Sequence, residues 1–180
     1  GLYVDDELNA YVDAVGARLV AAMEPGPYTF RFDSVDQGEP NAFASPGGYI
    51  YGSRGLLAQM NSEAELAAVL SHEIVHAAAR HGAKGMERSA MISGALMATS
   101  ILLGGHQYKD LAMQGAKLGA SAVDQTYSRD DEREADHYGM LYMARAGYDP
   151  GAAVDLQQTF VRLNKDRASA WLSGLFASHP

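Results

Sequence analysis

The first third of the chain alternates between one amphipathic helix and short extended segments. Apolar residues spaced three and four apart predict a helix from Asp5 to Met23, which the Glu24-Pro25-Gly26-Pro27 sequence ends. Aromatic and polar residues alternate from Tyr28 to Asp33, which predicts a half-buried strand. A Pro-Gly-Gly turn then joins two further extended segments, Asn41 to Ser45 and Tyr49 to Tyr51.

From Gly52 onward the apolar pattern is almost entirely helical. Because strands are confined to the first third and helices fill the rest, the sequence predicts an α+β fold, mostly helical, with a small N-terminal β-sheet. No internal repeat or low-complexity tract interrupts the 180 residues. We therefore expect a single domain over residues 1–180.

Composition narrows the possible functions. Hydrophobic residues make up 47% of the chain and charged residues 20%, as in globular proteins. The 14 Lys and Arg against 22 Asp and Glu give a net charge of -8, which argues against a nucleic-acid partner. The chain has no cysteine, so any metal must be held by His, Asp and Glu.

One uncharged segment, Ser89 to Tyr108, resembles a membrane span. Its apolar part runs only from Ala90 to Leu103, which falls short of the roughly 20 residues that a helix needs to cross a bilayer. We therefore expect no transmembrane segment in this chain. The segment is interpreted as a core helix, with a movable cover over the active site as the alternative.

The first chemical motif is His72-Glu73-Ile74-Val75-His76. It lies in a helix predicted from Glu63 to His81. A Ser62/Glu65 capping box marks the start of this helix, and Gly82 follows its last residue as the stop signal. Side chains four residues apart lie on one helix face, so both imidazoles can reach one cation while Glu73 approaches its water. The alternative, two unrelated surface histidines, is disfavoured because flanking apolar residues predict burial.

A catalytic zinc usually takes a third protein ligand and leaves the fourth position to water. The best source is a helix that Ser128 and Asp131 cap and Gly147 ends. Within it, Glu132 is the expected ligand and Asp136, one turn later, is placed to accept the second ring N–H of a ligand histidine. The other acidic residues of this first turn are interpreted as complementing the helix dipole.

Several other polar residues are considered for roles at or near the site. Tyr138, Tyr142 and His179 are the candidates for stabilising the oxyanion. His179 has two further interpretations, as a fourth ligand that makes the site latent or as a solvated residue near the chain end. His81, about 180° around the helix from His72, is expected to serve the C-terminal end of that helix. His106 and His137 are interpreted as surface or packing residues.

The segments His72-Glu73-Ile74-Val75-His76 and Glu132-Arg133-Glu134-Ala135-Asp136 together resemble the zinc metallopeptidase family that contains the CAAX prenyl endopeptidases and the bacterial heat-shock membrane protease. That family carries H-E-x-x-H on one helix and E-x-x-A-D on a later one. The resemblance extends to Asn41-Ala42-Phe43-Ala44 with Pro46-Gly47-Gly48, and to Ser178-His179-Pro180, and so covers nearly the whole chain. It is strongest for the soluble cell-envelope branch of bacterial members.

The resemblance implies a zincin-like metallopeptidase domain with one Zn2+ per chain. It places the zinc ligands at His72, His76 and Glu132 and the catalytic base at Glu73. It also implies a periplasmic or outer-membrane-associated location, protein quality control and partners in the envelope, while the sequence leaves a cytoplasmic location open. Two features differ from the family: the chain lacks the membrane spans of the integral-membrane branch, and it stops at Pro180, where soluble relatives can continue.

The expected function is hydrolysis of peptide bonds in unfolded or damaged proteins. Glu73 is expected to take a proton from the attacking water and to deliver it to the leaving amine. Asn41, Ala42, Phe43 and Ala44 could form an edge strand along which an extended polypeptide aligns, although a plain hairpin explains their pattern equally well. The alternative function is a chaperone-like module that binds polypeptides and has a latent metal site.

Overall fold

Helices and one small sheet near the N-terminus make up the described part of the protein. The computed structural model describes residues 1–85 and 127–166, together with residues 87, 90, 91 and 94. The predicted α+β class, with strands only in the first third, is confirmed for these residues. In chain order the elements are α1 (Asp6–Ala21), β1 (Arg31–Val35), β2 (Ala42–Ser45), β3 (Tyr49–Ser53), α2 (Arg54–Leu57), α3 (Glu63–Ala78), α4 (Arg129–Arg145) and α5 (Gly151–Asp166).

The sheet has the strand order β1-β3-β2. Strand β3 pairs parallel with β1 and antiparallel with β2, with Phe43 opposite Tyr51 and Ala44 opposite Ile50. The predicted hairpin between β2 and β3 is therefore confirmed. Gly48 in its turn has a φ of 87°, and a Cβ at that position would lie 2.3 Å from the carbonyl oxygen of Thr29, so only glycine fits there.

The first strand is shorter than its aromatic alternation predicts. It begins at Arg31, and Tyr28 is exposed. Phe32 is buried against α1, where a Cβ at Gly16 would lie only 2.4 Å from the Phe32 ring. The sheet can thus lie close to α1 because this helix position has no side chain.

Helix α3 is the centre of the core. It packs against α1, α4, α5 and the strands β2 and β3, and its Leu66, Leu70 and Ile74 are buried. A second buried cluster, formed by Ala42, Leu56, Leu156 and Phe160, joins β2, α2 and α5 beside it. This central position explains why Glu73 and His76 of α3 are buried as well.

The end of α3 differs from the sequence prediction. The sequence predicts a helix that reaches His81, but α3 ends at Ala78, and residues 81–85 form a separate helical stretch. Arg80 between them has a left-handed φ of 57°. No glycine marks this break, so the local sequence does not reveal it. The break invalidates the expected angle of 180° between His72 and His81.

Helix α4 agrees with its predicted start and end. Ser128 and Asp131 form a reciprocal capping box, and Gly147, with a φ of 81°, follows the last turn. Among the described residues, no helix combines the length and the apolar content that crossing a membrane requires. The segment from Ser89 to Tyr108 lies outside the described residues except for three isolated positions, and so do His106 and His179.

Candidate metal centre

The three predicted metal ligands lie together between α3 and α4. The Nε2 atoms of His72 and His76 are 2.9 Å apart. The Glu132 carboxylate lies 3.4 Å from His72 Nε2 through one oxygen and 3.3 Å from His76 Nε2 through the other. This is the group of metal-ligating side chains that the described residues bring together.

Close packing of the two helices places Glu132 beside the histidines. A Cβ at Gly139 of α4 would lie 3.2 Å from Ser71 Oγ and 3.3 Å and 3.4 Å from His72 N and Cα. Ala135, one turn earlier on the same face, is fully buried. Small residues at both positions let α4 approach the backbone of α3 at the turn that carries His72. Sequence reasoning did not identify Gly139.

The distances among the three side chains suit a small tetrahedral cation. Two ligand atoms about 2.0–2.1 Å from a zinc ion at the tetrahedral angle are about 3.3–3.4 Å apart. The two carboxylate-to-imidazole distances match that spacing, and the imidazole pair is a few tenths of an ångström closer. Two imidazoles and one carboxylate are also a usual donor set for catalytic zinc. The residues present therefore fit the metal.

His72 is held between two carboxylates. Its Nδ1 lies 3.1 Å from Asp136 Oδ1, the contact expected from the spacing of Glu132 and Asp136. Burial by itself lowers the pKa of His72, but the hydrogen bonds with Asp136 and Glu132 outweigh it and raise the pKa to about 10. The negative charge of Glu132 and Asp136 that stabilises a protonated His72 ring would also stabilise a metal cation. Such a cation would replace the proton on Nε2.

His76 has a different environment. Its side chain is fully buried, and its ring stacks on Tyr127 with the centroids 3.8 Å apart. Burial lowers the pKa of His76 below its usual value, although Glu132 opposes the shift, so the neutral form that binds metal is favoured. Its Nδ1 lies 2.9 Å from Nδ1 of His81.

The contact of His81 with His76 corrects the sequence expectation. His81 was assigned to the helix C-terminus, but it is 2% exposed and lies against the metal-ligand candidate. The turn at Arg80 redirects it. Sequence reasoning also missed Tyr127, which immediately precedes the Ser128 cap. Neither residue belongs to the spacing pattern of the two motifs, so only the folded chain reveals them.

Glu73 lies at the wall of a cleft that also contains the ligand candidates. The cleft has a volume of about 420 Å3, and Glu73 itself is 2% exposed. The polar lining residues are His72, Glu73, Glu132, Asp136 and Gln157, and the apolar ones are Ala42, Leu56, Ala68, Val69, Ala153, Leu156, Phe160 and Val161. A carboxylate thus faces the same space as the proposed metal, beside an apolar wall from β2, α2 and α5.

The predicted edge strand lies partly at this cleft. Ala42 is buried and lines it, and β2 is an edge of the described sheet. The carbonyl of Asn41 accepts a hydrogen bond of 2.8 Å from Ser53 N, which belongs to the hairpin. Ala44 is buried in the core, and Phe43 packs on Tyr51 with the ring centroids 5.1 Å apart. Both interpretations of this segment, hairpin and strand edge beside the site, are thus compatible with its position.

The tyrosines considered for oxyanion stabilisation lie elsewhere. Tyr138 is 42% exposed, and Tyr142 stacks on it with the centroids 6.3 Å apart. Tyr142 also interacts with Glu24 and Arg145 near the C-terminal end of α4. Neither tyrosine is among the described residues that line the cleft. His137 is exposed, as expected for a surface residue.

Two histidines and a glutamate in one helix, with a second carboxylate supplied by a later helix, are the arrangement typical of metal-dependent peptidases. The model of peptidase family M48 matches residues 6–180. The chain belongs to this family, which confirms the resemblance drawn from the two motifs.

Similar proteins are named as proteases or as a metalloendopeptidase. The chain is 37% identical over 172 residues to the putative beta-barrel assembly-enhancing protease of Vibrio cholerae. The aligned region covers 88% of this chain and 33% of that protein. It is 31% identical over 183 residues to the beta-barrel assembly-enhancing protease of Escherichia coli, covering 98% and 37%. It is 34% identical over 148 residues to the mitochondrial metalloendopeptidase OMA1 of Schizosaccharomyces pombe, covering 81% and 42%. The chain therefore spans about a third of the length of the two bacterial relatives.

Proposed function

We propose that this chain is a zinc-dependent endopeptidase domain in which residues 1–180 act as one unit. The observation that carries the proposal is the meeting of His72, His76 and Glu132 at one point beside the buried carboxylate of Glu73. Two imidazoles and one carboxylate would hold one Zn2+ and leave a coordination position open. Zinc bound there supplies Lewis-acid activation of a water molecule and of the scissile carbonyl.

Each residue of the centre then has a separate task. Glu73 lines the cleft with the ligands, and its carboxylate takes the proton of the attacking water and returns it to the leaving amine. Asp136 accepts the Nδ1–H of His72 and so keeps Nε2 of that ring directed at the metal. Helices α3 and α4 hold these groups before substrate arrives, which lowers the reorganisation that the reaction requires.

The shape of the cleft supports an extended polypeptide as the substrate. Strand β2 offers an edge, and its Ala42 lines the cleft that contains Glu73. A peptide added along Asn41 to Ala44 would form backbone hydrogen bonds that do not depend on its sequence. The edge would thus admit unfolded or damaged proteins in preference to compact ones.

The names of the relatives support a role in protein quality control at the cell envelope. Two are named for enhancing beta-barrel assembly and one as a mitochondrial metalloendopeptidase. We therefore place this domain in the periplasm or at the outer membrane, with envelope proteins as its substrates and partners. His179, outside the described residues, is retained as the proposed fourth ligand or oxyanion group.

Proteolysis of unfolded casein tests the proposal. The zinc-loaded protein is expected to produce fragments that a chelator abolishes and that added zinc restores. Glu73→Gln should keep the metal, measured by elemental analysis, and lose cleavage at least about 100-fold because general-base catalysis contributes about that much or more. Glu7→Gln, an identical charge change at an exposed position of α1, is the control.

Two results would contradict the assignment. Full cleavage by Glu73→Gln would remove Glu73 from the reaction. Casein binding without fragments, at any zinc concentration, would favour the chaperone-like module instead of the endopeptidase.

A further inference from the structure

His81 is a buried titratable residue for which the proposed reaction has no use. Its side chain is fully enclosed, and its Nδ1 lies 2.9 Å from Nδ1 of His76. We propose that His81 is a positioning residue that fixes the tautomer and the orientation of His76, and through them the affinity of the centre for its metal. This inference rests on the proposed function, because it takes His76 as a ligand.

The tautomers of both histidines follow from the neighbours of the two nitrogens of the His76 ring. Its Nε2 points toward His72 and Glu132, so binding a cation requires that nitrogen to be free of a proton. A neutral imidazole then carries its proton on Nδ1. Since that atom faces Nδ1 of His81, the latter must be the acceptor of the hydrogen bond.

The second nitrogen of His81 has acidic neighbours that suit this arrangement. Its Nε2 lies 3.4 Å from Glu134 Oε2 and 3.5 Å from Asp131 Oδ1. A proton on Nε2 is attracted by both carboxylates, which leaves Nδ1 of His81 as the acceptor. The arrangement therefore runs from the carboxylates of α4 through His81 and His76 to the metal position. Ligand histidines usually have a carboxylate, carbonyl or water as their partner, and here a second imidazole takes that place.

The backbone before His81 shows that its position is imposed by the fold. Helix α3 ends at Ala78, and Arg80 adopts a φ of 57°, which is sterically unfavourable for a residue with a Cβ. Residues 81–85 then form a separate helical stretch. A simple continuation of α3 would carry His81 to the side opposite His72. The strained turn is what brings it to His76.

Stacking on Tyr127 does not replace this contact. Tyr127 covers the face of the His76 ring, with an interplanar angle of 20°. Contact with a ring face restrains the tilt of the imidazole but does not distinguish its two nitrogens. The hydrogen bond at Nδ1 does distinguish them. The two neighbours therefore act differently, and a variant at position 81 should affect the metal in a way that loss of packing alone would not.

Zinc affinity, measured by competition with a chromophoric chelator, tests the inference in three variants. His81→Leu removes the acceptor and keeps a buried side chain, so zinc affinity should fall about 10–100-fold. His81→Asn keeps an amide oxygen near the position of Nδ1 and should remain within about threefold of the wild type. His137→Leu, at an exposed position of α4, is the matched control and should leave zinc affinity unchanged.

The ring-nitrogen NMR spectrum of the zinc-loaded wild type gives a second readout that does not depend on a variant folding. We expect protons on Nδ1 of His76 and Nε2 of His81, and none on Nδ1 of His81. A proton on Nδ1 of His81, or wild-type zinc affinity in His81→Leu, would overturn the inference. Equal weakening by His81→Leu and His81→Asn would also overturn it. Failure of the wild type to bind zinc would instead refute the proposed function, and this inference with it.

Discussion

Gly139 is the point at which a single methyl group can change the distance between α3 and α4, the two helices that carry the proposed ligands. In Gly139→Ala the new Cβ would lie 3.2–3.4 Å from Ser71 Oγ and from the backbone of His72. Comfortable contacts between carbon atoms are about 3.5–4.0 Å. Two of these three atoms belong to the backbone of α3 and cannot rotate away, so we expect the helices to separate by a few tenths of an ångström.

Two opposing terms determine the stability of this variant. Alanine in a helix interior is about 1 kcal/mol more favourable than glycine. Inserting a methyl group into a well-packed contact costs about 1–3 kcal/mol. The free energy of unfolding of the metal-free protein should therefore fall by about 0–2 kcal/mol. Metal affinity should fall more clearly, by about tenfold, because ligand distances tolerate only about 0.2 Å of error.

Chelator competition and urea denaturation of the metal-free protein separate these two effects. Gly85→Ala is the matched control, because it makes the same change in a helical stretch where a Cβ meets no described atom within 4 Å. It should gain stability and leave zinc affinity unchanged. If Gly139→Ala bound zinc as tightly as the wild type, the close approach of α4 to His72 would not set the geometry of the centre.

Two further predictions concern the metal and the packing of the helices around it. A chelator should lower the unfolding temperature of the zinc-loaded protein by about 5–10 °C, since metal at 100 times its Kd stabilises the folded state by about 2.7 kcal/mol. In Glu132→Gln the chelator should lower the unfolding temperature much less. If it lowered the unfolding temperature of that variant equally, Glu132 would not be a ligand. Tyr148→Phe removes the hydroxyl that donates to Glu63 Oε1 at 2.7 Å and keeps the ring beneath Arg18, so urea denaturation should show a loss of about 1 kcal/mol with unchanged zinc affinity. Tyr28→Phe, at an exposed position, should be neutral, and equal stability of both variants would show that the Glu63 contact contributes nothing.

Local sequence features predicted the elements that carry the centre. Ser62 and Ser128 mark the starts of α3 and α4, and both are N-caps in the structure. The box is reciprocal at Ser128 and Asp131, whereas the Glu65 carboxylate accepts its hydrogen bond from Asn61 N in place of Ser62 N. The Pro-Gly-Gly turn predicted the β2–β3 hairpin. In the structure β3 is two residues longer than the predicted strand. These features depend on hydrogen bonds and dihedral angles within a few residues, so they can be recognised in the sequence without the fold.

The two motifs also determined which side chains meet. Spacing of four residues put His72 and His76 on one face of α3, and the same spacing put Glu132 and Asp136 on one face of α4. The chemistry of zinc then required a third ligand for the histidine pair. What the spacing could not supply was the distance between the helices, which depends on Gly139 and Ala135 fitting against the α3 backbone.

The contacts of His76 with His81 and Tyr127 were decided by tertiary structure alone. His81 reaches His76 because Arg80 takes a left-handed conformation, which a sequence without glycine at that position does not indicate. Tyr127 stacks on His76 because α4 begins beside it. The sequence by itself determined the types and the periodicity of the proposed ligands, because both are properties of single helices. Only the packed chain decided how the rings are held, because the contacts that hold them join residues from different elements and are selected by the fit of whole surfaces.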